Sequence, residues 1–123
     1  MYLSKSEEYL AAAERELGEG LHIAATSLAV HAGINAADAV CGIRLGRRSG
    51  GQNHDEVVGL LDTAGADGKE LAKEFGRLIP LKTKAEYDPV DVSKTDAGRA
   101  VERARRCVAI ARRVVNAQTR KSL

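Results

Sequence analysis

From His22 to Ile43 the chain carries no lysine or arginine, and its commonest residue there is alanine. Nothing in this run alternates with period two, and it is far longer than a strand. As a helix it is apolar nearly all round, which water-exposed helices are not. Two environments suit such a helix: the middle of a bundle or a lipid bilayer. Thr26, Ser27, His31, Asn35 and Asp38 lie within it, and polar residues at that density argue for the bundle. A central helix over about Leu21 to Leu45, covered by several others, is the expectation that organises the rest.

The other segments supply the cover. A first helix is expected from Ser6 to Leu17, capped by Ser4 or Ser6, with Glu7 and Glu8 in its first turn and Leu10, Ala13 and Leu17 on one face. Gly18-Glu19-Gly20 ends it. After the loop from Gly46 to Asn53, a short helix is expected from His54 to Ala64 with Asn53 as its cap, broken by Gly65-Ala66-Asp67-Gly68. Leu71, Phe75 and Leu78 mark a fourth helix that Pro80 should kink or restart, and Tyr87 to Asp91 reads as a linker. The last helix follows Ser93, whose spacing to Asp96 resembles a capping box. Ala97, Val101, Ala104, Val108, Ala111 and Val115 then recur at alternating spacings of four and three. The fold class that follows is all-α, an up-and-down bundle of four to five helices forming one domain over residues 1–123.

Aromatic residues make up only 3% of the chain, with no Trp and one Phe. The core is therefore filled by Ala, Val, Leu and Ile, and alanine lets helix axes come close. The Ala-rich faces of the second and last helices exceed what so small a bundle should cover from within, so a homodimer is expected. The net charge of +2 is too small to argue for nucleic-acid binding by itself. Cys41 and Cys107 match no metal-ligand spacing and fall on apolar faces, where a thiol behaves as a small hydrophobe. With an N-terminus that lacks a basic-then-apolar signal pattern, they point to a reduced, cytoplasmic protein away from membranes.

Three groups of residues could carry chemistry. Ser27, His31, Asn35 and Asp38 are spaced by four, four and three, so they line one face of the central helix. One reading is a ligand or proton-handling pocket; the plainer one is a hydrogen-bonded network that sets helix register. The loop Arg47-Arg48-Ser49-Gly50-Gly51-Gln52-Asn53-His54 offers guanidinium groups for a phosphate and an imidazole for proton transfer. That is the equipment of metal-independent RNA cleavage; the plainer reading is a solvated glycine-rich loop with a His covering the core edge. Finally, Arg103, Arg105, Arg106, Arg112, Arg113, Arg120 and Lys121 make the last helix basic. No aromatics are interleaved to stack bases, and a solvated face is the ordinary reading. Phosphate-loop, dinucleotide, HExxH and Ser-elbow patterns do not occur, so neither a metal nor a cofactor is expected.

The order of these parts resembles the HEPN domain superfamily. The resemblance is carried by Glu7-Glu8-Tyr9-Leu10-Ala11-Ala12-Ala13, the long helix around Ala29 to Val40, His54-Asp55-Glu56-Val57-Val58-Gly59-Leu60-Leu61, and the stretch from Leu78 to Pro89 before the last helix. It implies a four- or five-helix bundle, often dimeric, and in many members ribonuclease activity in toxin–antitoxin, phage-defence or RNA-processing systems. Catalytic members carry an Arg, four to six residues, then a His, usually with a polar residue straight after the Arg. Here five residues separate Arg48 from His54, and Ser49 follows the Arg. The resemblance thus implies catalysis by Arg48 and His54. Arg47, His31, Asn35 and Asp38 stand as candidate binding residues, RNA or a nucleotide as ligand, and a cognate nucleotidyltransferase or antitoxin as partner. A non-catalytic interaction or small-ligand module is the alternative.

Overall fold

A computed structural model describes residues 1–46, 53–87 and 92–122, with 84–87 and 122 as backbone. They form five helices: α1 (Tyr2–Gly18), α2 (His22–Leu45), α3 (His54–Asp62), α4 (Gly65–Tyr87) and α5 (Lys94–Ser122). No strand occurs among the described residues, and the all-α bundle is the observed architecture. Helix α2 packs against all four others. Ala25, Ala29, Val30, Ala32, Ala36, Ala37, Val40 and Cys41 are buried along one broad side of it, while His31 on the opposite side is exposed. It is long and apolar enough to cross a membrane, yet 61% of its most apolar window is buried under the other helices.

The Ala-rich faces are covered within one chain. On α5 the expected stripe is buried from Ala97 to Ala111, with Val115 half-buried. A second row beside it, Ala100, Cys107, Ile110 and Val114, is buried as well. The apolar surplus expected to drive dimerisation is therefore not on these faces. Among the described residues, the large apolar side chains left exposed are Met1, Leu21 and Ile23.

Local signals decide several helix ends as expected. The Asn53 side chain accepts from the backbone N–H groups of Asp55 (2.8 Å) and Glu56 (3.4 Å), and Ser93 Oγ accepts from the Asp96 N–H at 3.0 Å. Others differ. Helix α1 begins at Tyr2, a turn before the expected start. Ser6 is fully buried and donates to the Leu3 carbonyl (2.8 Å); its hydroxyl is satisfied inside the helix and caps nothing.

The Gly65–Gly68 segment separates α3, which stops at Asp62, from α4, and it also forms the first turn of α4. Gly65, at φ +79°, takes the left-handed conformation that turns the chain from α3 into α4. A Cβ on Gly68 would run into the Leu61 carbonyl and the Ala64 methyl, so glycine there lets the two helices touch. Pro80 lies inside α4 and does not end it. The helix forgoes the bond that residue 80 would donate to the Gly76 carbonyl. Buried Leu71, Phe75 and Leu78, with half-buried Ile79 and Leu81 beside the exposed proline ring, hold it on the core. The expected linker lies partly within α4, which runs to Tyr87; residues 88–91 fall outside the described residues.

Candidate functional site

His54 is the first residue of α3, directly after the Asn53 cap. It is half-buried, and its ring meets the fully buried Phe75 ring edge-on at 5.9 Å and 65°. The imidazole is thus braced by the core of α4 and still reaches the surface, a position from which it could exchange protons with a bound substrate. Arg47 and Arg48, its expected partners, lie outside the described residues. The nearest described arginine along the chain is Arg44, in the last turn of α2. It is committed to Asp67 at the start of α4 (3.3 Å).

The polar stripe of α2 lies on one line but serves separate neighbours. Ser27, half-buried, borders a groove of about 520 Å³ with Gly20, Leu21, His22 and Val92. His31 is exposed and stacks on Tyr9 of α1, with centroids 5.2 Å apart and planes at 27°. Asn35 Nδ2 donates to the His31 carbonyl at 2.9 Å. Asp38 is buried beside a smaller cavity of about 190 Å³ lined by Met1, Tyr2, Leu3, Ile43 and Val115. At about 1.5 Å of rise per residue, Ser27 and Asp38 stand roughly 16 Å apart along the axis. Helix α1 runs antiparallel alongside, so His31 and Asp38 meet different parts of it, and no one cavity collects the stripe.

The arginines of α5 carry a pattern that spacing within one helix could not show. Toward α1, Arg112 grips Glu7 (2.8 Å) and Arg105 grips Glu14 (3.2 Å). Toward α4, Arg113 binds Asp67 (2.7 Å) and Glu70 (2.8 Å). Arg103 (3.1 Å), Arg106 (3.8 Å) and Arg77 of α4 (3.5 Å) all turn to Glu74. The partners on each helix sit seven residues apart, Glu7 and Glu14 against Arg112 and Arg105, Asp67 and Glu74 against Arg113 and Arg106. Seven residues is two helical turns, so each antiparallel seam repeats its ionic contact in register. The signal that could have revealed it was this matched spacing of opposite charges on helices expected to be antiparallel.

Glu74 is buried to within 8% of full coverage, and its carboxylate lies at the floor of that arginine cluster. Cys107 is buried nearby; burial first, and then the Glu74 charge, push its thiol up to about 12. It is a packed thiol and not a nucleophile. Both cysteines are buried thiols. Among the described residues, no three His, Cys, Asp or Glu side chains are gathered to hold a metal ion.

No curated protein matches the chain. The model of the HEPN domain matches residues 1–119, nearly the full span of α1 to α5, and by that match this five-helix chain belongs to the HEPN domain family.

Proposed function

We propose that this HEPN domain is an RNA- or nucleotide-associated module that works as a metal-independent ribonuclease of toxin–antitoxin or defence type. The observation that carries the reading is the position of His54, capped in place at the head of α3, braced by Phe75 and partly exposed to solvent. In the proposed reaction His54 takes the proton of a ribose 2′-hydroxyl. The freed oxygen attacks the adjacent phosphorus, the P–O5′ bond breaks, and the 5′-oxygen leaves with a proton from water, giving a 2′,3′-cyclic phosphate. Arg48 steadies the extra negative charge on the phosphoryl oxygens, and Arg47 holds the neighbouring phosphate. The protein acts in the cytoplasm as a homodimer, with exposed Leu21 and Ile23 beside their groove as the apolar contact. A cognate nucleotidyltransferase or antitoxin is its partner.

The test is cleavage of single-stranded RNA in the presence of a chelator. His54→Ala and Arg48→Ala should each abolish turnover, and the double variant should be no worse than either, because residues acting as a unit fail together. Unaffected cleavage by His54→Ala, or no cleavage by the native chain, would refute the reading. A second reading, a non-catalytic interaction module, rests on the same ring contact. If His54 serves only to cover Phe75, its loss lowers the melting temperature and touches no activity.

A further inference from the structure

The geometry points to a second anion site, away from His54, on the joint face of α4 and α5: Arg77, Arg103 and Arg106 around Glu74 form a landing site for the phosphodiester backbone of single-stranded nucleic acid. This site goes beyond the catalytic proposal and does not depend on it.

Surplus charge and unused donors mark it. Three other guanidiniums of α5 have carboxylates to match: Arg112 has Glu7, Arg105 has Glu14, and Arg113 with Arg44 shares Asp67 and Glu70. At Glu74 three guanidiniums meet one carboxylate. Glu102 relieves part of the excess by binding Arg106 at 3.3 Å, but it also binds Arg105 at the same distance. Lys73 is exposed one turn before Arg77, and among the described residues Arg99, one turn before Arg103, meets Asp96 alone at 3.9 Å. The described residues of the face therefore hold a surplus of positive charge.

Glu74 cannot itself reach a ligand, since its side chain is only 10% exposed, whereas those of Arg77 and Arg106 are each 51% exposed. The carboxylate anchors one edge of each guanidinium. Arg106 also gives its Nε–H to Glu102, and the remaining N–H groups of each five-donor guanidinium are left for an incoming acceptor. A phosphodiester presents two charged oxygens in tetrahedral array and can accept from more than one arginine at once. The described aromatic side chains lie elsewhere: Phe75 is fully buried, and Tyr2 and Tyr9 belong to α1. The face therefore grips a backbone and does not read bases.

The experiment measures fluorescence anisotropy of a labelled 2′-O-methyl oligouridylate, which has no 2′-hydroxyl and so separates binding from cleavage. The native chain should bind at low salt. Arg77→Gln with Arg106→Gln should weaken binding about tenfold and flatten the salt dependence by about 1.4 in log–log slope, the value for two single-strand phosphate contacts. Arg105→Gln with Arg112→Gln, which removes two arginines matched by α1, should leave affinity within about twofold. Inorganic pyrophosphate should displace the oligonucleotide and an oligoglutamate peptide should not. Absence of native binding, equal losses in the two double variants, or displacement by the peptide as effective as by pyrophosphate would each overturn the proposal. Circular dichroism checks that the variants fold. If the first pair does not, the native salt slope decides, and a slope near zero refutes the site.

Discussion

Helix α5 has two flanks that look alike in sequence and differ in construction. Against α1, each arginine meets an exposed glutamate: Glu7 and Glu14 keep 41% and 42% of their side chains open. Against α4, a nearly buried Glu74 is shared among three arginines. The first seam is a set of surface ion pairs, each contributing about 0.2–1 kcal/mol and weakened by salt. In the second, the carboxylate is out of water and its attraction to the guanidiniums is correspondingly less screened. Repeating the same pair of charges at the same spacing does not repeat the energetics; depth decides.

The largest effect should come from beneath the α4 flank. Phe75→Ala removes a ring that is fully buried one residue beyond Glu74, and a loss of about 3–5 kcal/mol is expected in urea denaturation. It also withdraws the surface on which His54 leans. A loss below about 1 kcal/mol would mean that α4 is not anchored this way.

Glu74→Ala comes next. It leaves three guanidiniums facing one another with no carboxylate at their centre. Full burial of such a group would cost about 3–5 kcal/mol. Because the arginines are 30–51% exposed, about 2 kcal/mol is expected. The comparison breaks if Glu14→Ala on the other flank costs as much. That substitution should cost less than about 1 kcal/mol, and the difference from the native chain should vanish at about 1 M salt.

The smallest effect is expected between the flanks, at Cys107. With its thiol pushed up to about 12 from an ordinary value of 9.0, the folded chain should resist iodoacetamide at neutral pH, as mass spectrometry would show. The linkage has a definite sign. The unfolded thiol ionises first, so the stability from keeping Cys107 protonated is fully present below about pH 9 and is lost as the pH rises toward about 12. Cys107→Ala should therefore lose less stability over that interval than the native chain does. Rapid labelling of the folded native protein at neutral pH would contradict this burial.

Most of the architecture is legible in the chain itself, because it is written in local patterns. The run of α2 without lysine or arginine from His22 to Ile43, the buried row from Ala97 to Ala111, and the caps at Asn53 and Ser93 each depend on residues within a few turns of one another. Pro80 misleads for the same reason. By itself a proline breaks a helix, and only the core beneath α4 keeps that helix uninterrupted. The candidate site is legible in part: His54 can be named from the chain, but its contact with Phe75 cannot.

By itself, then, the sequence determined that this protein is a helical bundle centred on α2, since hydrophobic periodicity and capping act over a few residues and survive any arrangement of the rest. Tertiary structure alone decided how the polar groups were used. It gave Ser27, His31 and Asp38 different neighbours, paired the matched arginines of α5, and placed three guanidiniums on one carboxylate. The strength of a charge depends on its burial and on partners far away in the chain, and neither exists until the helices have packed.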